Sequence, residues 1–180
     1  RKKGEYLNLL NYIDDQLYFG STDSTTEWFE KKLRARFDVE IKGDANWFLS
    51  SKITRIGLDY TLDQNMYCNN ILKKFQPPDS TWGKQEDQYN QLPDGIKMSK
   101  EWKPKTIEER DIIMKLYGEF NYRGCVGSLI YLSGGTRYDI TFAVNKLAKY
   151  VMDPGVKHFE ALMHLLGYLN KHPNMAIRFY

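Results

Sequence analysis

Cysteine is scarce in this sequence, and no apolar run approaches the length of a membrane span. Cys68 and Cys125 are the only two cysteines and stand far apart, which fits a reducing compartment better than a disulfide-stapled fold. No stretch nears the roughly 18 apolar residues of a spanning helix, so a helical membrane anchor is excluded. A glycine-rich phosphate loop, a HExxH motif and internal repeats are missing, and Ser128 and Ser133 lack a nucleophile-elbow pattern; the common P-loop, zincin and hydrolase signatures are therefore absent. Histidine is limited to His158, His164 and His172. The first two are six residues apart with no cysteine at ligand spacing, so zinc chemistry is not expected and these read as surface or half-buried rings. Charge of either sign is barely in excess, at net +3. It is uneven, however: residues 122–180 carry seven basic and three acidic side chains. That segment is the natural place for a phosphate-facing surface, with Lys146, Lys149 and Lys157 off the apolar stripes, although solubility also explains a surplus of this size.

At 180 residues and 21.2 kDa the chain can bury a real core in one or two domains. The opening Arg1-Lys2-Lys3-Gly4-Glu5 runs into strand-like sequence without an initiator methionine, the pattern expected of a piece of something longer. The most informative residues are Tyr12-Ile13-Asp14-Asp15, set inside the apolar run Leu7 to Phe19. Adjacent carboxylates are unusual there, because burying ionised groups costs several kcal/mol unless they are paired or metal-bound. The economical geometry is a tight β-hairpin with Asp14 and Asp15 at or beside its turn, ending at Gly20. Two readings follow: a solvated turn, since Asp is a good turn former, or two carboxylates offered to a hard dication that keeps part of its shell for water and phosphate. No third carboxylate is framed in the same way; Asp38 and Glu40 look like the wet face of a strand.

Along the chain, Ser24 to Phe37 reads as a helix capped by Ser24 with Glu27 completing a capping box. Glu27 and Glu30 can pair there with Lys31 and Arg34. Strands are expected at Val39–Ile41, at Trp47–Ile53 and around Tyr60 and Leu62, then a helix from Gln64 to Phe75. Residues 76–105, with Pro77-Pro78, Gly83, Pro93-Asp94-Gly95 and Pro104, read as loop or linker and place the main boundary. Helical sequence resumes after Lys105 and again from Arg123 to Leu132, where Gly134-Gly135 breaks it. Thr136 and Asp139 then cap a helix to about Met152 with Ile140, Ala143, Val144, Leu147 and Val151 as its buried stripe. A last helix carries Phe159, Leu162, Met163, Leu166 and Leu169, and Met175 to Tyr180 ends the chain as a strand.

With these motifs in place, the sequence resembles the reverse transcriptase of copia-type LTR retrotransposons over nearly its whole length except the loop region. Leu10-Asn11-Tyr12-Ile13-Asp14-Asp15 through Phe19-Gly20 is similar to that family's YVDD hairpin and following FG. Gly43-Asp44-Ala45-Asn46-Trp47-Phe48-Leu49 resembles LGEANYFLG, and Gln64, Tyr67, Ile71-Leu72-Lys73 and Phe75 match Q..Y...IL.KF. Tyr122 to Leu132 resembles YRSAVGSLMYL. Thr136-Arg137-Tyr138-Asp139-Ile140 with Phe142-Ala143-Val144 resembles TRPDIAFAV, and Pro154, His158, Ala161 and Tyr168-Leu169 fit the next helix.

The resemblance implies an α+β architecture: the C-terminal part of a right-hand polymerase palm with the catalytic hairpin over 1–62, the thumb start and linker over 63–105, and a mainly helical thumb/connection region over 106–180. It makes Asp14 a catalytic metal ligand for Mg²⁺ or Mn²⁺ and Asp15 its less directly coordinating neighbour. Tyr12 and Ile13 would floor the primer terminus, Trp47, Phe48 and Leu49 would support the primer grip, and Arg123 and Arg137 would belong to the helical framework. The implied partners are an RNA or DNA template–primer duplex, deoxynucleoside triphosphates and the remaining polyprotein domains, in the cytoplasm or in virus-like particles. The implied activity is RNA-directed DNA polymerisation, for which this piece alone is incomplete because the fingers and an earlier palm aspartate would lie upstream. Three departures from the family pattern stand out: Ile41-Lys42 before Gly43, Ser50 in place of glycine after Leu49, and Tyr138 in place of proline. They leave room for a decayed or domesticated nucleic-acid-interaction domain without catalysis.

Overall fold

The computed structural model describes residues 4–76 and 90–180. The loop signals Pro77, Pro78 and Gly83 lie outside the described residues. The chain divides into two compact units, Arg1–Leu49 and Ser50–Tyr180. The boundary therefore falls earlier than the expected 62/63 division or the 76–105 stretch. Its physical reason is non-local pairing: residues after Ser50 join a sheet completed by the last strand and a helix that packs on later helices.

In the first unit, β1 (Leu7–Tyr12) and β2 (Asp15–Gly20) form an antiparallel hairpin paired from Leu7–Gly20 to Tyr12–Asp15. Helix α1 (Asp23–Arg34) follows. Its cap is Thr22 rather than Ser24: the Thr22 hydroxyl accepts from the Thr25 N–H at 3.3 Å, and the helix stops short of Phe37. Phe29 packs on Tyr18 with ring centroids 5.0 Å apart, and the Tyr18 hydroxyl donates to Glu30 at 3.0 Å. That bond takes Glu30 from its expected partner; among the described residues no ion pair joins Glu27 to Lys31 or Glu30 to Arg34. The expected strand at Val39–Ile41 does not form, since Val39 and Ile41, alternating with Asp38 and Glu40, have little apolar surface to hold them against a neighbour. A short strand, β3 (Trp47–Phe48), closes the unit. None of its described residues is fully buried.

In the second unit, β4 (Ser51–Ile56), β5 (Asp59–Asp63) and β6 (Ala176–Phe179) are antiparallel neighbours in that order. Ile53 faces Leu62 and Leu62 faces Ile177 across the sheet. Helices α2 (Asn65–Lys74), α3 (Ile107–Tyr117), α4 (Tyr122–Gly135), α5 (Thr141–Ala148) and α6 (Val156–Lys171) supply the rest. The core gathers Cys68, Ile71 and Phe75 of α2 with Leu129 and Leu132 of α4, Val144 and Leu147 of α5, and Leu162, Leu165 and Leu166 of α6. Burial raises the thiol pKa of both Cys68 and Cys125, so both are inert core residues.

Two expected elements differ. Helix α4 runs through Gly134-Gly135 to Thr136, which is its C-cap rather than the next helix's N-cap. Gly135 leaves room for the Gln64 side chain, which a Cβ there would displace and whose Oε1 accepts from the Thr136 hydroxyl at 3.2 Å. The following helix is also split into a 3-10 turn, Tyr138–Ile140, and α5, so Asp139 does not cap it.

The histidines are a further correction. His158 is fully buried and His164 nearly so, because the segment after Asn90 returns along α6. His158 Nδ1 accepts from the Gly155 N–H at 3.0 Å, reaching back to the helix start as a capping-box side chain does. Its Nε2 meets the Ser99 carbonyl at 3.1 Å, which fixes the neutral Nε2–H tautomer. His164 Nε2 lies 2.9 Å from the Asn90 carbonyl. Tyr150 stacks on His158 at 4.0 Å, and a Cβ on Gly155 would strike the Trp102 carbonyl. The two rings thus strap residues 90–102 to α6.

Burial pushes the His158 pKa below its ordinary 6.5. The unfolded chain consequently takes up the proton first, so stability is full above about pH 6.5 and falls as pH drops toward the folded value. Urea midpoints between pH 7.5 and 5 are expected to decline, and His158→Gln to flatten that decline. An equal decline in the variant would remove His158 as its source.

Candidate active-site hairpin and basic helical surface

The hairpin turn is Ile13-Asp14, closed by the Tyr12–Asp15 pair. Its first central residue, Ile13, has φ 50°. Positive φ at that position alone is the pattern of a type II′ turn, where glycine is preferred. The β4–β5 hairpin shows the ordinary solution in the same position: Gly57, at φ 66°. A β-branched residue there carries strain of order 1–3 kcal/mol, the kind that concentrates at functional sites. Ile13→Gly is expected to stabilise the hairpin by about 1 kcal/mol net of glycine's greater chain entropy. Amide exchange across β1 and β2 measures it, and faster exchange in the variant would refute strain at Ile13.

The turn sets the two carboxylates differently. Asp14 is its second central residue, and Asp15 opens β2 directly opposite Tyr12. Both are exposed, as a solvated turn requires and as a metal ligand open to water and phosphate also allows. The physical reason lies in the register. With side chains alternating across a strand, Leu9 and Tyr18 share the face toward Phe29 of α1. Leu10, Tyr12 and Phe19 share the other face with Asp15 and stay exposed.

Among the described residues neither Asp14 nor Asp15 makes a hydrogen bond or ion pair, so their oxygens remain available. Two such carboxylates on one turn suit a hard dication that takes one or two protein oxygens and completes its octahedron with water and phosphate. Among the described residues, no three or more His, Cys, Asp or Glu side chains gather to hold a metal. A complete two-metal set would draw carboxylates from elsewhere.

Other expected site residues are placed separately. Trp47 and Phe48 form β3, and Leu49 and Ser50 follow with φ 49° and 61°. Ser50 therefore occupies a left-handed conformation that glycine would adopt without strain. Lys146 lies on α5 and Lys149 caps its C-terminus. Lys157 is on the first turn of α6, with Nζ 5.4 Å from the Trp102 ring. Arg123 is exposed.

Arg137 is a buried framework residue. Its Nε and Nη2 donate to the two Asp139 oxygens at 2.9 and 2.8 Å, and Nη1 donates to the His172 carbonyl at 2.8 Å. Tyr168 adds its hydroxyl to Asp139 at 2.9 Å. Burial opposes the charge of both groups; their mutual bond outweighs it, raising the Arg137 pKa and lowering that of Asp139.

The residue types missed by the sequence reasoning are the exposed aromatics Tyr138 and Phe142. Their spacing of four, off the stripe of Ile140, Ala143, Val144 and Leu147, was the available signal. A hollow of about 450 Å³ beside Phe75, Tyr117 and Phe120 holds none of the expected site residues.

No family model and no solved structure matches the chain. It is 30% identical over 169 residues to the retrovirus-related Pol polyprotein from transposon TNT 1-94 of Nicotiana tabacum, covering 93% of this chain and 12% of that protein. The Pol polyprotein from transposon RE1 of Arabidopsis thaliana is 29% identical over 94% of this chain and 10% of its own length. An uncharacterized mitochondrial protein of the same plant is 26% identical over 89% of this chain and 60% of its own length. The chain thus spans about a tenth of the polyproteins it matches. It is homologous to one segment of retrovirus-related transposon Pol polyproteins, which supports an origin in a retrotransposon polyprotein.

Proposed function

We propose that this chain is the C-terminal palm segment and thumb/connection region of an RNA-directed DNA polymerase. The observation that carries the reading is the hairpin that puts Tyr12-Ile13-Asp14-Asp15 at a strained two-residue turn, in a chain homologous to Pol polyproteins. The exposed face of Leu10, Tyr12 and Phe19 supports it, since other polyprotein residues packed on that face would cover it.

In this reading Asp14 holds Mg²⁺, with Mn²⁺ an alternative, and Asp15 supports it from the adjoining strand position. Bound there, the metal would supply Lewis-acid stabilisation of the charge that develops as the primer 3′-hydroxyl attacks the nucleotide α-phosphate and pyrophosphate leaves. The chain's own residues then position: Tyr12 and Ile13 form the floor beneath the primer end, and Trp47, Phe48 and Leu49 brace the primer strand. Lys146, Lys149 and Lys157 meet the backbone of a template–primer duplex. The setting is a polyprotein acting in the cytoplasm or in virus-like particles.

A second reading, a nucleic-acid-interaction domain without catalysis, draws on Ser50, which holds a left-handed φ of 61° where the resembled pattern has glycine. Primer extension with Mg²⁺ on an RNA template separates the two. The polymerase reading expects product from a longer stretch of the parent reading frame, none from the 180 residues alone, and loss on Asp14→Asn. Product insensitive to Asp14 would reject it.

A further inference from the structure

We propose that Tyr138, Phe142, Lys146 and Lys149 form a stacking platform for unpaired nucleic-acid bases. This inference rests on the polymerase reading for its ligand class. The steps of four, four and three bring these residues to one side of the continuous 3-10 turn and α5, opposite the buried Ile140, Ala143, Val144 and Leu147. Tyr138 is 60% and Phe142 69% exposed, unusual for large rings a turn apart. Lys146 Nζ stands over the Phe142 ring, 5.3 Å from its centroid, so a cation takes one face of the ring and a base would stack on the other. Between Tyr138 and Met152 the sole acid is Asp139, and it is committed to Arg137. Neither lysine is in an ion pair among the described residues.

Rings flanked by unpaired lysines match a single strand: bases offer π-faces to the rings, and phosphates meet the ammonium groups. A duplex offers its backbone to the lysines but no free base to the rings, because its bases are already stacked on one another. Two rings of at most about 250 Å² each also fall well short of the roughly 800 Å² per partner in a stable protein interface. A second copy of the chain is therefore the weaker occupant.

The test is fluorescence anisotropy on the 180-residue chain at two salt concentrations. Its probes are oligodeoxythymidylate of about twelve residues, an abasic backbone of equal length, and a blunt RNA–DNA duplex. Tyr138→Ala with Phe142→Ala is expected to weaken oligodeoxythymidylate binding about tenfold or more, leaving the salt slope and duplex affinity unchanged. Phe142→Trp retains binding. Lys146→Ala with Lys149→Ala weakens oligodeoxythymidylate and the abasic backbone alike and reduces the slope by up to about 0.7 per phosphate contact removed. Melting curves should match wild type, since both rings are exposed. Unchanged oligodeoxythymidylate affinity in the double aromatic variant overturns the proposal, as does an equal loss on the abasic backbone. Self-association abolished by the same variant without a binding effect also overturns it, in favour of a second copy. Asp14→Asn leaves this binding untouched. Failure of the platform would thus leave Asp14-dependent extension intact, whereas failure of the polymerase reading would remove extension and leave base-dependent binding in place.

Discussion

Arg137→Ala is expected to destabilise the Ser50–Tyr180 unit by about 3–5 kcal/mol, the range for removing one partner of a buried ion pair. The Arg137 side chain is only 2% exposed and Asp139 20%, so the abandoned carboxylate cannot recover its full hydration. The substitution also strands the His172 carbonyl at the end of α6. It leaves a cavity among Asp139, Tyr168 and Cys68, whose thiol feels the Arg137 charge. Arg137→Lys should recover only part of the loss, because an ammonium cannot reproduce two parallel bonds to one carboxylate and a third to a carbonyl. The Asp139 pKa is held below its usual 3.8, so this contribution is present above about pH 3.8 and lost as pH falls through the folded value. Urea denaturation at pH 7 measures the effect; a loss below about 1 kcal/mol would mean that the network is not under load.

The same network explains why part of the fold was not legible in the sequence. The alternation and turn residues from Leu7 to Gly20 specify the hairpin locally, and the spacing of Tyr67, Ile71 and Phe75 specifies α2. The last helix and strand are equally local patterns. At Thr136–Asp139 the local pattern favours a new helix cap, but Arg137 turns inward to Asp139 and His172, and the backbone takes a 3-10 turn instead. Gly134-Gly135 reads locally as a break, whereas Gly135 serves the approach of Gln64 from α2, an element about 70 residues distant in sequence. His158 carries no apolar signature, and its burial depends on the return of Ser99 along α6. Contacts between distant segments decided each of these points.

Legibility of the candidate site was also partial. The motif places both aspartates at the turn, and the hairpin confirms that geometry. Their solvent exposure is one of the two readings that the residue types allow, whereas the positive φ of Ile13 was not readable, because nothing in the residue types reveals that isoleucine takes glycine's usual position.

Asp14→Asn is expected to lower primer extension by a longer Pol segment more than about a hundredfold, since losing even a residue that supports a metal ligand typically costs 10–100-fold. The amide keeps the size of the side chain and its turn position but removes the charge that would hold Mg²⁺. Asp15→Asn, changing the neighbour opposite Tyr12, should cost no more than about 10–100-fold. Both residues are exposed, so neither substitution should change the unfolding free energy by more than about 0.5 kcal/mol. The decisive measurement is extension rate against Mg²⁺ concentration for wild type, Asp14→Asn and Asp15→Asn, with template–primer affinity measured alongside. The account predicts collapse of the Asp14→Asn rate at every Mg²⁺ concentration, a smaller loss for Asp15→Asn, and duplex affinity no weaker than wild type. Extension by Asp14→Asn at the wild-type rate would contradict it.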